Sequence, residues 1–349
     1  MPSRVVACVD LFCGAGGLTY GLLRANVQVV AGIDLDPACK HPFEYNSGAR
    51  FLLQGIETLS GEELASYYPP GAVRLLAGCA PCSPFSPFRH GEDTSKDSKW
   101  GLLAEFERLV AELQPELVTM ENVPGLGTKQ VFHSFVQQLT SLGYKTAWGS
   151  LYCPRYRVPQ HRRRLVLLAS RIGPIRLPPP RVEDRLLFPT VKHAISRLRH
   201  VDAGSADPFD PLHRARSVSE LNLRRLRASR PGGNWHDWPD ELRSPCHRRA
   251  TGATFRNVYA RMRWDEPAPT ITTEAYNFGT GRFGHPEQDR SLTLREAAIL
   301  QTFPQKYSFT AAGAPPSFLT VGRLIGNAVP PKLAYYIGLE LVRSVKSAT

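Results

Sequence analysis

Short apolar runs and amphipathic segments alternate through the first half of the chain. Val5–Phe12, Val27–Ile33, Val73–Ala77 and Leu117–Met120 are mostly apolar runs that end at a glycine or an acid, the pattern of buried strands. Residues 101–114 place Leu102, Phe106, Leu109, Val110 and Leu113 at helical spacing, and 132–142 repeats the pattern. Strands alternating with helices predict an α/β fold built on a doubly wound, mostly parallel sheet from Val5 to about Ser170. From 174 to 268 the periodicity dissolves into Pro, Arg and short segments, the mark of a smaller inserted lobe. Ser291–Gln301 and Pro330–Lys346 regain helical spacing and are expected to pack back on the first lobe. The chain thus divides into 1–173, 174–268 and 269–349.

With 42% hydrophobic residues, 349 residues can fill the cores of one large and one smaller domain. The net charge of +12 suits a polyanionic partner, although a basic chain can also be merely soluble. The placement of the charge says more. Arg155, Arg157, Arg162, Arg163 and Arg164 crowd one stretch, and Arg214, Arg216, Arg224, Arg225, Arg227 and Arg230 another, as phosphate contacts require. Seven scattered cysteines form no disulfide framework, which fits a reducing cytoplasm. No apolar run approaches a membrane span and no signal peptide precedes the first strand.

Candidate chemistry centres on Gly-Cys-Ala-Pro-Cys-Ser-Pro-Phe-Ser, Gly78–Ser86, at the carboxyl end of a predicted strand. Open α/β sheets keep their ligands at such ends. Cys82 there is a candidate nucleophile. It reads equally as a small buried residue, or with Cys79 as a CxxC redox or metal pair, though no second ligand pair stands at zinc spacing. After the first strand, Cys13-Gly14-Ala15-Gly16-Gly17-Leu18 lets backbone approach a ligand at a helix amino terminus, a dinucleotide as readily as any other nucleoside. Asp34 ends the second strand, where a carboxylate can accept from ribose hydroxyls. Leu117–Met120 delivers Glu121-Asn122-Val123-Pro124-Gly125.

Taken in order, DLFCGAGGL, GCAPCSPFS, ENVPGL, QHRRRL, SLTLREAAILQTFP and GNAVP make the chain resemble the DNA (cytosine-5)-methyltransferases from about Val5 to about Leu341. The resemblance implies a Rossmann-like S-adenosylmethionine-dependent methyltransferase sheet, with 174–268 as a target recognition domain and 269–349 as a return segment completing the catalytic domain. Cys82 would add to C6 of a flipped-out cytosine, with Arg162 as a source of positive charge. Glu121, its proton affinity raised by burial, would support N3, and Arg164 would hold O2. Pro81, Ser83, Gln160 and Thr272 are the implied substrate contacts, Pro81 through its backbone and Thr272 at a phosphate. S-adenosyl-L-methionine would be cradled by Phe12, Gly14, Ala15, Gly16, Gly17 and Leu18. Asp34 and Leu35 would lie at the ribose, Ile56 and Leu102 at the adenine, and Asn327 at the methionine end. No metal is implied. The partners implied are double-stranded DNA and, in a restriction-modification setting, a cognate restriction endonuclease; a monomer is expected. With the first motif within ten residues of Met1, the chain resembles the compact bacterial or phage members, and no amino-terminal regulatory domain is expected.

Two positions depart from the family pattern. Gly55 stands where an acid usually faces the adenine amine, and Ser83 follows the nucleophile where a glutamine is common. The polar segment Ser83–Trp100 is expected to be a mobile loop closing over the extruded base. Base reading is expected around Trp235–Arg263. Methylation of transfer RNA by the same chemistry, and a nucleic-acid-binding relative without catalysis, are the alternatives weighed beside this one.

Overall fold

The computed structural model describes residues 5–80, 101–249 and 258–347. These fall into two compact units, one of Met1–Tyr156, Arg163–Arg181 and Val329–Thr349, the other of Arg157–Arg162 and Val182–Ala328.

The first unit is built on seven strands: β1 (Val6–Leu11), β2 (Gln28–Asp34), β3 (Arg50–Leu53), β4 (Val73–Gly78), β5 (Leu117–Asn122), β6 (Lys145–Tyr152) and β7 (Arg163–Ser170). Their order across the sheet is β3-β2-β1-β4-β5-β7-β6. Neighbours run parallel except at β7, which is antiparallel to both β5 and β6. The helices are α1 (Gly17–Arg24), α2 (Lys40–Ser47), α3 (Gly61–Ser66), α4 (Gly101–Leu113), α5 (Gln130–Ser141) and a carboxyl-terminal helix at Pro331–Lys346. The apolar stripe expected along 101–114 is the buried face of α4, and Phe106 meets Phe135 of α5 with ring centroids 5.6 Å apart. The four strands expected from apolar runs are β1, β2, β4 and β5, each fully or mostly buried. β6 escaped because it is the sheet edge, with a mixed surface and no clean period. β7 starts on two arginines before its apolar run, so the basic motif hid its first residues.

The second unit holds a short pair, β8 (Ala206–Asp207) and β9 (Asp210–Arg214), helices α6 (Val191–Ile195), α7 (Glu220–Ala228), α8 (Leu294–Leu300) and α9 (Phe318–Asn327), and many single turns. Helix α10 is the Pro331–Lys346 element of the first unit. Leu226, Trp235, Trp238, Leu242 and Phe278 form the small apolar core of the second unit. The two units do not follow the boundaries expected from composition. Residues 269–328, α8 included, group with the second unit, and within the carboxyl-terminal segment only 329–349 group with the first. Part of the cause is a buried polar tie. Gln160 donates to Gln301 at 2.6 Å and accepts from the Ile271 backbone at 2.8 Å, anchoring 157–162 and the later residues to one another.

Candidate active site

β1 and β4 lie side by side at the centre of the sheet, with the order running outward in opposite directions from them. A crevice outside the carboxyl ends of such strands is the usual ligand site of an open α/β sheet. The register decides what arrives there. Leu11 pairs with Gly78, Gly78 pairs with Met120, and the Cys79 N–H reaches the Leu11 carbonyl at 3.3 Å. The glycine loop, the start of the cysteine loop and Glu121 therefore leave the sheet at one level.

The glycine loop is bent by left-handed residues: Phe12 at φ 57°, Gly14 at 54° and Gly16 at 82°. A Cβ at Gly14 would meet no atom within 4 Å, so glycine is favoured there by conformation and not by lack of space. Gly16 bonds back to the Cys13 carbonyl at 2.9 Å and starts α1. Asp34 fastens this turn from β2. Its carboxylate accepts from the Gly14 N–H and the Asp36 N–H, each at 2.9 Å. Ala15 and Leu18 are buried, while Leu35, next to Asp34, is 65% exposed. Ile56 is buried in the core, and Leu102 packs against that core.

Two acids here were missed by reasoning from motifs. Asp10 is buried in β1 and accepts the Thr19 hydroxyl at 2.6 Å. Burial, only partly offset by Thr19, pushes its carboxyl up to about 7, with the nearby charge of Asp34 adding to the rise. An acid inside an apolar run was its signal. The second is Glu57, whose carboxylate folds over Gly55 and fills the place a side chain at 55 would take. A carboxylate therefore stands over position 55 although the residue there is glycine.

Glu121 ends β5 and is largely buried. The antiparallel β7 brings Arg164 beside it, with Nε 3.0 Å from a Glu121 carboxylate oxygen. Glu121, expected as an acid whose proton affinity burial raises, therefore stands in a pair with a guanidinium. Asn122 Nδ2 donates to the Ala80 carbonyl at 2.9 Å, and its Oδ1 accepts from the Val123 N–H at 2.8 Å, tying the strand end to the residue before the cysteine loop. Cys79 is held as a neutral thiol: burial, then Glu121, push it well above the ordinary range. Pro81, Cys82, Ser83 and the segment to Trp100 lie outside the described residues.

The remaining expected residues belong to the second unit. Arg162 is buried and donates to the Ile271 carbonyl at 3.1 Å and to those of Gly326 and Ala328 at 3.4 Å. Gln160, expected at the substrate, is fully buried and bonded to the backbone and side chains around it, which makes it an anchor of its segment. Thr272 is half-buried and Asn327 is exposed at the end of α9. Among the described residues, no cluster of three or more His, Cys, Asp or Glu is arranged to hold a metal, and no helix is long and apolar enough to cross a membrane.

The family model for C-5 cytosine-specific DNA methylases matches residues 6–343. The chain belongs to that family. It is a DNA cytosine-5 methyltransferase. It is 45% identical over 342 residues to the Type II methylase M.HgiDII of Herpetosiphon aurantiacus, covering 97% of this chain and 96% of that one. It is 30% identical to the Type II methyltransferase M1.HphI of Haemophilus parahaemolyticus, covering 96% and 86%. Among solved structures, a methyltransferase encoded within an Escherichia coli prophage shares the fold with a TM-score of 0.71 at 20% identity, covering 98% and 99%.

Proposed function

We propose that this methyltransferase uses S-adenosylmethionine to methylate C5 of a cytosine flipped out of a specific double-stranded DNA sequence, through a covalent bond from Cys82 to C6. The carrying observation is the Glu121–Arg164 pair, at the level where β4 hands the chain to the Cys82 loop. Cytosine C5 is a poor nucleophile until a thiolate adds at C6 and pushes electron density through the ring. Glu121 faces the N3 and exocyclic-amine edge in this reading, and Arg164 faces O2. An acceptor opposite the amine discriminates against thymine, which presents a carbonyl there. A base then removes the C5 proton, the C5–C6 double bond reforms, and the Cys82 thiolate leaves.

The cofactor crevice fits the nucleoside of the donor. The left-handed glycine loop offers backbone N–H groups, Asp34 offers a carboxylate fixed by the loop it fastens, and exposed Leu35 offers an apolar face. The Glu57 carboxylate over Gly55 supplies the acceptor for the adenine amine, beside Ile56 and Leu102. Bound there, the sulfonium donor supplies the methyl group. Arg162, Thr272, Asn327, Pro81 and Ser83 carry over their family roles as part of this proposal, and residues 174–268 are assigned to recognition of the DNA word. The likeness to two Type II enzymes supports a modification enzyme; a monomer acting beside an endonuclease of the same word completes the proposal.

The test is DNA carrying 5-fluorocytosine at the target. Fluorine cannot leave as a cation, so wild-type enzyme should form a denaturant-resistant adduct in the presence of the donor. Cys82→Ala should form none and lose methyl transfer while still binding DNA, because the thiol contributes to the bond-making step and little to ground-state binding. Cys79→Ala should stay active. Substantial methylation by Cys82→Ala would overturn the mechanism.

A further inference from the structure

The second unit contains an open cleft of about 410 Å³ that the chemistry above does not use. Arg216 is the only charged side chain lining it among the described residues. Ser217, Asn222, Asn277 and Thr280 add neutral donors and acceptors, and Tyr276 an aromatic face. Arg216 Nη1 donates to Asn277 Oδ1 at 2.5 Å, and its guanidinium carbon lies 5.8 Å from the Tyr276 ring centroid. Asn277 is itself held, its Nδ2 donating to Glu274 at 2.9 Å. The plane of the guanidinium is thereby oriented. The bond engages Nη1, and among the described residues no hydrogen bond engages the Nε and Nη2 edge, which carries two parallel donors.

Other arginines of this unit are committed to the fold. Arg225 holds the Leu242 carbonyl and Ser244, Arg261 holds the Leu226 and His285 carbonyls and Asp289, Arg290 holds Glu296, and Arg295 holds Asp210. Arg216 is exposed and has no carboxylate within ion-pair distance among the described residues. A phosphate site would gather several cations. A single oriented fork among neutral polar groups instead matches O6 and N7 of guanine, the pair of acceptors that arginine reads side-on in a major groove.

We propose that Arg216, positioned by Asn277, reads a guanine edge in the DNA word that this enzyme methylates. The proposal rests on the assignment of recognition to this part of the chain. Its test is sequence-resolved methylation of a duplex library randomised around cytosine, using the full chain. Wild type defines the word. Arg216→Ala should relax one guanine position by about ten- to a hundredfold and leave the other positions intact. Arg216→Lys, which keeps the charge and loses the fork, should relax the same position, and Asn277→Ala should do so more weakly. Thermal melts establish that each variant is folded. A uniform loss over all sequences with a flatter salt dependence, rescued by lysine, would make Arg216 a phosphate contact and overturn the proposal. So would an unchanged word in folded Arg216→Ala and Arg216→Lys. Failure of the underlying reading looks different: wild type would show no word, or a chimera with 174–268 from a relative would keep the original one.

Discussion

Replacing Glu296 with Gln removes the charge from one of the most completely buried ion pairs in the second unit. Its carboxylate takes Nη1 and Nη2 of Arg290 at 2.7 Å each and the Thr293 N–H at 2.8 Å, with side-chain exposures of 0% for Arg290 and 1% for Glu296. Thr293 answers by accepting from the Glu296 N–H at 3.0 Å, closing a capping box at the start of α8. Burial alone would raise the Glu296 carboxyl, and it is the largest single effect. The charge and hydrogen bonds of Arg290, helped by His285 and the Thr293 backbone, outweigh it and hold the group at about 2, against an ordinary 4.5. A gap of that size corresponds to about 3 kcal/mol. Leaving Arg290 buried without a counter-charge costs about 3–5 kcal/mol by general experience, so the two routes agree.

Glu296→Gln should therefore lower the stability of the second unit by roughly 3 kcal/mol. Urea unfolding read by tryptophan fluorescence suits the question, since Trp235 and Trp238 lie in that unit's core while Trp148 reports on the first. Replacing both partners with Met and Leu should recover much of the loss, because no charge is then stranded. The pH profile adds a sign. Glu296 has a depressed carboxyl, so its contribution is complete above about 4.5 and is lost as pH falls through about 2. His285 lies 3.8 Å from Glu296 and is lowered to about 4, mainly by burial. The unfolded chain binds its proton first, so stability falls between about 6.5 and 4 and levels below. A Glu296→Gln variant within 1 kcal/mol of wild type, or an acid limb absent between 6.5 and 4, would refute this account.

Two further changes probe the cofactor crevice. Glu57→Gln should weaken donor binding about tenfold, as loss of one charge-assisted hydrogen bond does, with little change in turnover at saturating donor; calorimetric titration of the folded variant checks it, and unaltered affinity would remove Glu57 from the site. Asp10→Asn should flatten the pH dependence of melting, because a raised carboxyl binds its proton more tightly in the folded state and costs stability as pH rises from about 4 to about 7. The variant should melt roughly 5 °C or more above wild type at pH 8 and close to it at pH 4; a variant less stable at both would show that the charged Asp10–Thr19 bond matters more than burial.

Much of the first unit was legible because each strand buried on both faces is an apolar run and each covering helix shows its stripe. The placement of candidate residues at the strand ends was legible where chemistry and local conformation coincide, as in the glycine loop, Asp34 and the Glu121 strand end. Placement was illegible where a side chain folds back over two residues, as for Glu57, or bonds to partners far along the chain, as for Gln160 and Arg162. Nothing in QHRRR separates the arginine that pairs with Glu121 from the one locked to backbone carbonyls; only the β7 register does. The second unit resisted because single turns carry no period, and its arginines divide between fold and surface in a way that sequence spacing does not record.

The electrostatics of the first unit gain sense from the two ligands proposed for it. The chain carries +12 overall, yet Asp10 and Asp34 stand at the β1 and β2 ends, where the glycine loop turns, and Glu57 follows β3. Asp10 and Asp34 repel one another enough to help keep the first protonated. Two acids there make a poor place for a polyanion and a good one for a cationic, hydroxyl-bearing nucleoside, whose positive charge would favour the ionised form of Asp10. At the β5 end the order is reversed, with Glu121 compensated by Arg164. A neutral base can enter there without meeting an uncompensated charge. With the donor and the base placed as proposed, acids lie beside the cation and a balanced pair beside the neutral base, so neither ligand meets a charge of its own sign.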